Sequence, residues 1–97
     1  MLLPNRFNDG KPVPRSWFGE AAREVTSFFW ASSLETQIIK GLWVHEGIEY
    51  RDDLRRLAVD VVDNAKNRKW LRAFKARWKE RTQQLQIWMI SWRINIE

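Results

Sequence analysis

Apolar residues recur along this chain with two different periods, and the change of period divides it into elements. Trp17, Ala21, Val25 and Phe28 follow one another at spacings of 4, 4 and 3 residues, and Phe18, Ala22 and Phe29 widen the same stripe. This is the apolar face of a helix. The helix is expected to begin near Pro14–Ser16, where proline suits the first turn, and to end near residues 30–33. Residues 33–44, "SLETQIIKGLWV", are rich in β-branched and apolar side chains and predict a strand through much of their length, closed by a turn at "HEG" (45–47).

Residues 50–63 fit both periods. Leu54, Leu57, Ala58, Val61 and Val62 match a helix, whereas Leu57, Val59 and Val61 match strand alternation. The valines at 59, 61 and 62 favour a strand, with Asp63 and Asn64 as the turn and helix cap that follow it. A second helix is predicted over about 65–82. On its wheel Trp70, Leu71, Phe74 and Trp78 share one arc, and Arg68, Arg72, Lys75 and Lys79 lie opposite. Alternation returns in "LQIWMISWRINIE" (85–97). Trp88, Ile90, Trp92, Ile94 and Ile96 point one way, and Leu85, Ile87 and Met89 the other. This predicts a last strand, buried on both faces in its first half. At the other end "NDGKPVP" (8–14) reads as a turn, which leaves Met1–Leu3 as a first strand cut to three residues.

The predicted order is strand, helix, strand, strand, helix, strand. Two helices can cover one face of a four-stranded antiparallel sheet, which gives an α+β, ferredoxin-like βαββαβ fold with a short or truncated first strand. The opposite sheet face is left open. The length of 97 residues fits a single domain spanning 1–97. Seven Trp and five Phe are enough to fill a modest core and argue against disorder.

Composition narrows the chemistry. The chain has no cysteine, which excludes disulfides, thiolate metal sites and a cysteine nucleophile. No apolar run reaches the length of a membrane span, and the start lacks the pattern of a signal peptide, so a cytoplasmic protein without membrane contact is expected. The net charge of +5 is unevenly placed. Residues 1–50 carry 5 basic and 6 acidic side chains, and residues 51–97 carry 12 and 6. That asymmetry permits a nucleic-acid or acidic partner.

Three pairs of residues carry a family resemblance: Gly41 with Trp43, Tyr50 with Asp52, and Gln83 with Gln84 after Arg81. With them, residues 41–96 resemble a group of small bacterial ferredoxin-like proteins of unknown function. The resemblance supports the strand reading of 54–62 and implies no activity. The chain departs from the group's pattern in its short first strand.

Two candidate surfaces follow. The first is the apolar row Trp88, Ile90, Trp92, Ile94 and Ile96, together with the open sheet face; it would serve a homodimer or a subunit of a larger protein complex. The second is the helix stripe Arg68, Arg72, Lys75 and Lys79, which could track phosphates of a nucleic acid. The aromatics between those cations face the other way, so they form no stacking platform beside them. A solvated helix back explains the stripe equally well. Catalysis has weak support. His45 is the lone histidine, beside Glu46 and Glu49 in a turn, without the ligands of a metal cage. Asp52 and Asp53, adjacent on a strand, point to opposite faces and would not share a proton or a metal. No nucleotide-binding or hydrolase motif is present. Gln83 and Gln84 are placed to satisfy the last carbonyls of the second helix. The expectation is a non-catalytic interaction protein without cofactor or metal, with a small basic nucleic-acid-binding protein as the alternative.

Overall fold

In the computed structural model, which describes residues 1–95, the chain forms β1 (Leu2–Pro4), α1 (Arg15–Phe29), β2 (Ser33–Leu34), β3 (Ile39–His45), β4 (Ile48–Ala58) and α2 (Ala65–Arg81). The class is α+β, with two helices and a four-stranded antiparallel sheet. Its order is βαβββα rather than the expected βαββαβ.

The long strand β4 organises the sheet. β1 lies along one edge of it, with Leu3 opposite Arg55. β2 and β3 lie along the other, with Leu34 opposite Leu57 and Ile39 opposite Leu54. The predicted strand 33–44 is therefore broken in two. Four residues, 35–38, face only Arg55 and Arg56, and this surplus forces the chain out of the ladder before β3 resumes. The β3–β4 hairpin closes at Glu46 and Gly47, whose φ values of 51° and 77° are those of a tight primed turn between right-twisted strands.

β4 confirms the strand reading of 54–58, but it ends at Ala58 and leaves Val59, Val61 and Val62 outside the sheet. Ser33, at the start of β2, is the residue opposite Ala58. Beyond that point no neighbouring strand remains to pair the valines, and propensity alone cannot hold them in one.

The predicted last strand does not form. Residues 86–95 have no regular secondary structure. The segment meets β1 once, where the Leu2 amide donates to the Trp88 carbonyl at 2.9 Å. β1 explains this. Met1 and Leu57 exchange hydrogen bonds across the β1–β4 ladder, so the alternating residues Leu2 and Pro4 turn their backbones outward. Pro4 has no amide, which leaves Leu2 as the one outward donor of a three-residue strand. Ile96 lies outside the described residues.

Both helices pack on the sheet face that carries Leu3 and Leu57. The buried cluster joins these to Phe18, Ala21 and Val25 of α1, Phe74 and Trp78 of α2, and the flanking Val13 and Ile87. The faces predicted for both helices are thus the buried ones. Aromatic contacts tie the helices together: Phe28 stacks on Trp70 at 4.7 Å, and Trp17 meets Trp78 edge-on at 6.3 Å. Polar contacts add to them. Arg81 pairs with Glu20 at 2.6 Å and lies over the rings of Trp17 and Trp78, and Arg77 pairs with Glu24.

The caps follow from sequence. The Asn64 side chain accepts the Asn67 amide at 2.8 Å and starts α2. At its other end Gln83 adopts φ 57°, the Gln83 amide donates to the Glu80 carbonyl, and the Gln84 amide donates to the Lys79 carbonyl. This is a Schellman closure with glutamine in the left-handed position. Gln83 and Gln84 do satisfy the last carbonyls, as expected, and the Gln84 side chain also donates to the Arg6 carbonyl at 2.9 Å.

Candidate functional site

The face of the sheet away from the helices is assembled by register. β3 and β4 place Ile39 opposite Leu54, Gly41 opposite Asp52, Trp43 opposite Tyr50, and His45 opposite Ile48, all on that open face. β1 adds Leu2 and Pro4, opposite Arg56 and Leu54. Trp43 stacks on Tyr50 with ring centroids 4.5 Å apart and 19° between planes. The Trp43 indole N–H donates to Asp52 Oδ2 at 2.5 Å, which fixes the ring and gives the half-buried carboxylate a partner. Asp53 points to the opposite face and pairs with Lys40 at 2.6 Å, so the two neighbouring carboxylates are separated as strand alternation requires.

Beside this pair the open face holds a groove of about 320 Å³. Leu2, Ile39, Gly41 and Leu54 form its floor, Trp43 stands at one side, and Trp88 of the C-terminal segment stands at the other. Gly41 makes the floor low: a Cβ there would come within 2.9 Å of Leu54 Cδ1.

The C-terminal segment follows the predicted alternation only around Ile87: Leu85, expected on the buried side, is exposed, residues 90–95 are all exposed, and the first half is not buried on both faces as expected. Ile87 is buried in the core, whereas Trp88, Ile90, Trp92 and Ile94 are 59%, 69%, 70% and 50% exposed. Ile48 of the hairpin is exposed on the same face as the groove, and Leu42 and Val44 are exposed on the opposite one.

The basic stripe is partly taken. Arg68 is paired with Asp63. Arg72, Lys75 and Lys79 have no ion-pair partner among the described residues. His45 sits at the hairpin tip, about half exposed, with Glu46 3.8 Å away. Among the described residues no group of three His, Asp or Glu side chains is gathered as a metal site. No helix among them is long and apolar enough to cross a membrane.

Two features escaped the sequence reading. The stacked pair Trp43 and Tyr50, with Asp52, was visible only as spaced pieces of a resemblance. A two-residue loop at 46–47 would have set 43 against 50 and 41 against 52, and so would have found the cluster. Trp30 is the other. It is 91% exposed at φ 76°, where it ends α1 with its amide on the Thr26 carbonyl. Helix ends of this geometry are usually glycine or asparagine, so a tryptophan gave no signal.

No protein-family model, curated protein or solved structure matches the chain.

Proposed function

We propose that this is a non-catalytic interaction protein that self-associates through its open sheet face and the adjoining C-terminal row. One observation carries the reading: Trp88, Ile90, Trp92 and Ile94 are all exposed within seven residues of chain, and Trp88 borders an apolar groove floored by the sheet. Single exposed apolar residues are ordinary, but a contiguous row of this size marks an interface. Two tryptophans within it are the residue type that dominates interface energetics. The test is the mass in solution. Light scattering at tens of micromolar should give twice 11.7 kDa, and Trp92→Glu should return the chain to monomer. A wild-type monomer across that range would defeat the reading.

A second reading rests on exposed Arg72 and half-buried Lys75 and Lys79, which have no acidic partner among the described residues. In this reading they contact nucleic-acid phosphates, joined by Arg68 once it leaves Asp63. Binding to mixed DNA or RNA should fall steeply with salt and vanish in an Arg72→Glu, Lys79→Glu double variant. No retention at about 50 mM salt would exclude it, because phosphate contacts are strongest at low ionic strength.

A further inference from the structure

Resting on the self-association just proposed, we infer that the occupant of this surface is the C-terminal arm of a second copy, added as a strand to the free edge of β3. Three observations meet here. The arm has strand alternation and exposed apolar residues, yet residues 89–95 join no ladder of their own chain. The home edge is a poor one, because the Leu2 amide is the one outward donor of β1 and is already bonded to Trp88, and Pro4 has none to give. β3, in contrast, is a seven-residue edge strand without proline, and it carries one lysine. Such an edge is a template for another strand.

The geometry of β3 selects the contact. In a two-residue hairpin the closing pair His45 and Ile48 exchange hydrogen bonds, so His45, Trp43, Gly41 and Ile39 bond inward to β4. Lys40, Leu42 and Val44 then turn their N–H and C=O groups outward. Leu42 is the middle of that edge, and Ser91 is central to the arm. Set side by side, both point to the helix side of the sheet. The arm's even row, Ile90 and Trp92 in particular, then falls on the open face beside Trp43 of the second copy. This match holds whichever direction the arm runs.

The area suffices. At roughly 250 Å² for a tryptophan side chain, the exposed fractions of Trp88 and Trp92 leave about 320 Å² on each arm. Matched by the receiving surface and doubled by two-fold exchange, that is about 1,300 Å² from the tryptophans alone, inside the range of about 1,200–2,000 Å² of stable interfaces.

Because the chain has no cysteine, single cysteines report the contact directly. Differently tagged Leu42→Cys and Ser91→Cys chains are mixed, allowed to exchange subunits and oxidised. A mixed 42–91 disulfide is the expected product. A 91–91 product signals arm against arm, and a 42–42 product signals edge against edge. Either, in the absence of the mixed product, overturns the inference while leaving self-association intact. Leu42→Pro removes the central outward amide without touching the β3–β4 ladder and should raise the dissociation constant roughly 30-fold, the loss of one strong interface residue. An unchanged constant in Leu42→Pro, with its far-ultraviolet spectrum retained, equally overturns the arm exchange. A wild-type chain that is monomeric at every concentration removes the self-association beneath it.

Discussion

Glutamine 83 stands in the left-handed region at the close of α2, and replacing it with glycine should make the protein more stable. Its φ of 57° brings the Cβ toward the following carbonyl, at a cost of about 1–2 kcal/mol for an L-residue. Glycine removes that cost but loses more freedom on folding, about 0.5–1 kcal/mol. The Gln83 side chain is exposed and makes no hydrogen bond among the described residues, so nothing else is given up. The two backbone bonds of the closure, to Glu80 and Lys79, use main-chain atoms that glycine keeps. The net gain is about 0.5–1 kcal/mol, which for a domain of this size is a rise in Tm of about 2–8 °C. Thermal unfolding followed by circular dichroism measures it, with Gln83→Ala as the control that keeps the Cβ and should show no gain. Unfolding must be compared at one protein concentration, because a self-associating chain has a concentration-dependent Tm. A Tm of Gln83→Gly at or below that of the parent would refute the argument that backbone strain is held at this closure.

The other predictions concern the core, the open face and the chain start. Phe74→Ala should lose about 3–5 kcal/mol in urea unfolding, because this buried ring lies between Trp70 and Trp78 at the centre of the helix pair. Asp52→Ala should lose about 1.5 kcal/mol, the low end for a bond to a charged and partly exposed group, and should shift the Trp43 fluorescence as its indole N–H turns to water. Burial, aided by the nearby Arg56 charge, holds the Met1 ammonium below its ordinary pKa of 8.0. Between the lowered folded value and 8.0 the unfolded chain binds more protons than the folded one, so stability should rise with pH across that window. Urea midpoints taken on either side of it should show the rise, and acetylation of the amine should abolish it.

The parts of the fold legible in the sequence are those whose signal is local and repeated. Phe74 and Trp78 recur at helical spacing, and they are buried. Asp52 and Asp53 are adjacent in a strand, and they point to opposite faces. Asn64 precedes a helix, and it caps it. What was not legible depends on whether a neighbour exists. Val59, Val61 and Val62 have strand propensity, but Ala58 is the last residue with a strand beside it. Propensity describes what a residue does once a ladder is available and does not supply the ladder.

The C-terminal segment is the sharpest case, and it also bears on function. Its alternation in sequence is as regular as that of β3 or β4, but only Ile87 is buried: Leu85, expected beside it, is exposed, as are all of residues 90–95. The missing element is the edge, and the cause lies more than eighty residues away, in a proline at position 4 and a first strand three residues long. A pattern of this strength without a home edge would be a liability in a monomer, because a row of two tryptophans and two isoleucines facing water invites association. The same row becomes useful if a second copy supplies the edge that β1 withholds. On this argument the short first strand and the apolar arm are two halves of one feature. Lengthening the home edge should therefore weaken self-association: Pro4→Val restores an outward amide, and the arm should then compete for its own β1. Sedimentation of Pro4→Val against the parent checks this, with a larger dissociation constant expected. An unchanged or tighter dimer would mean that the edge of β1 does not govern where the arm goes.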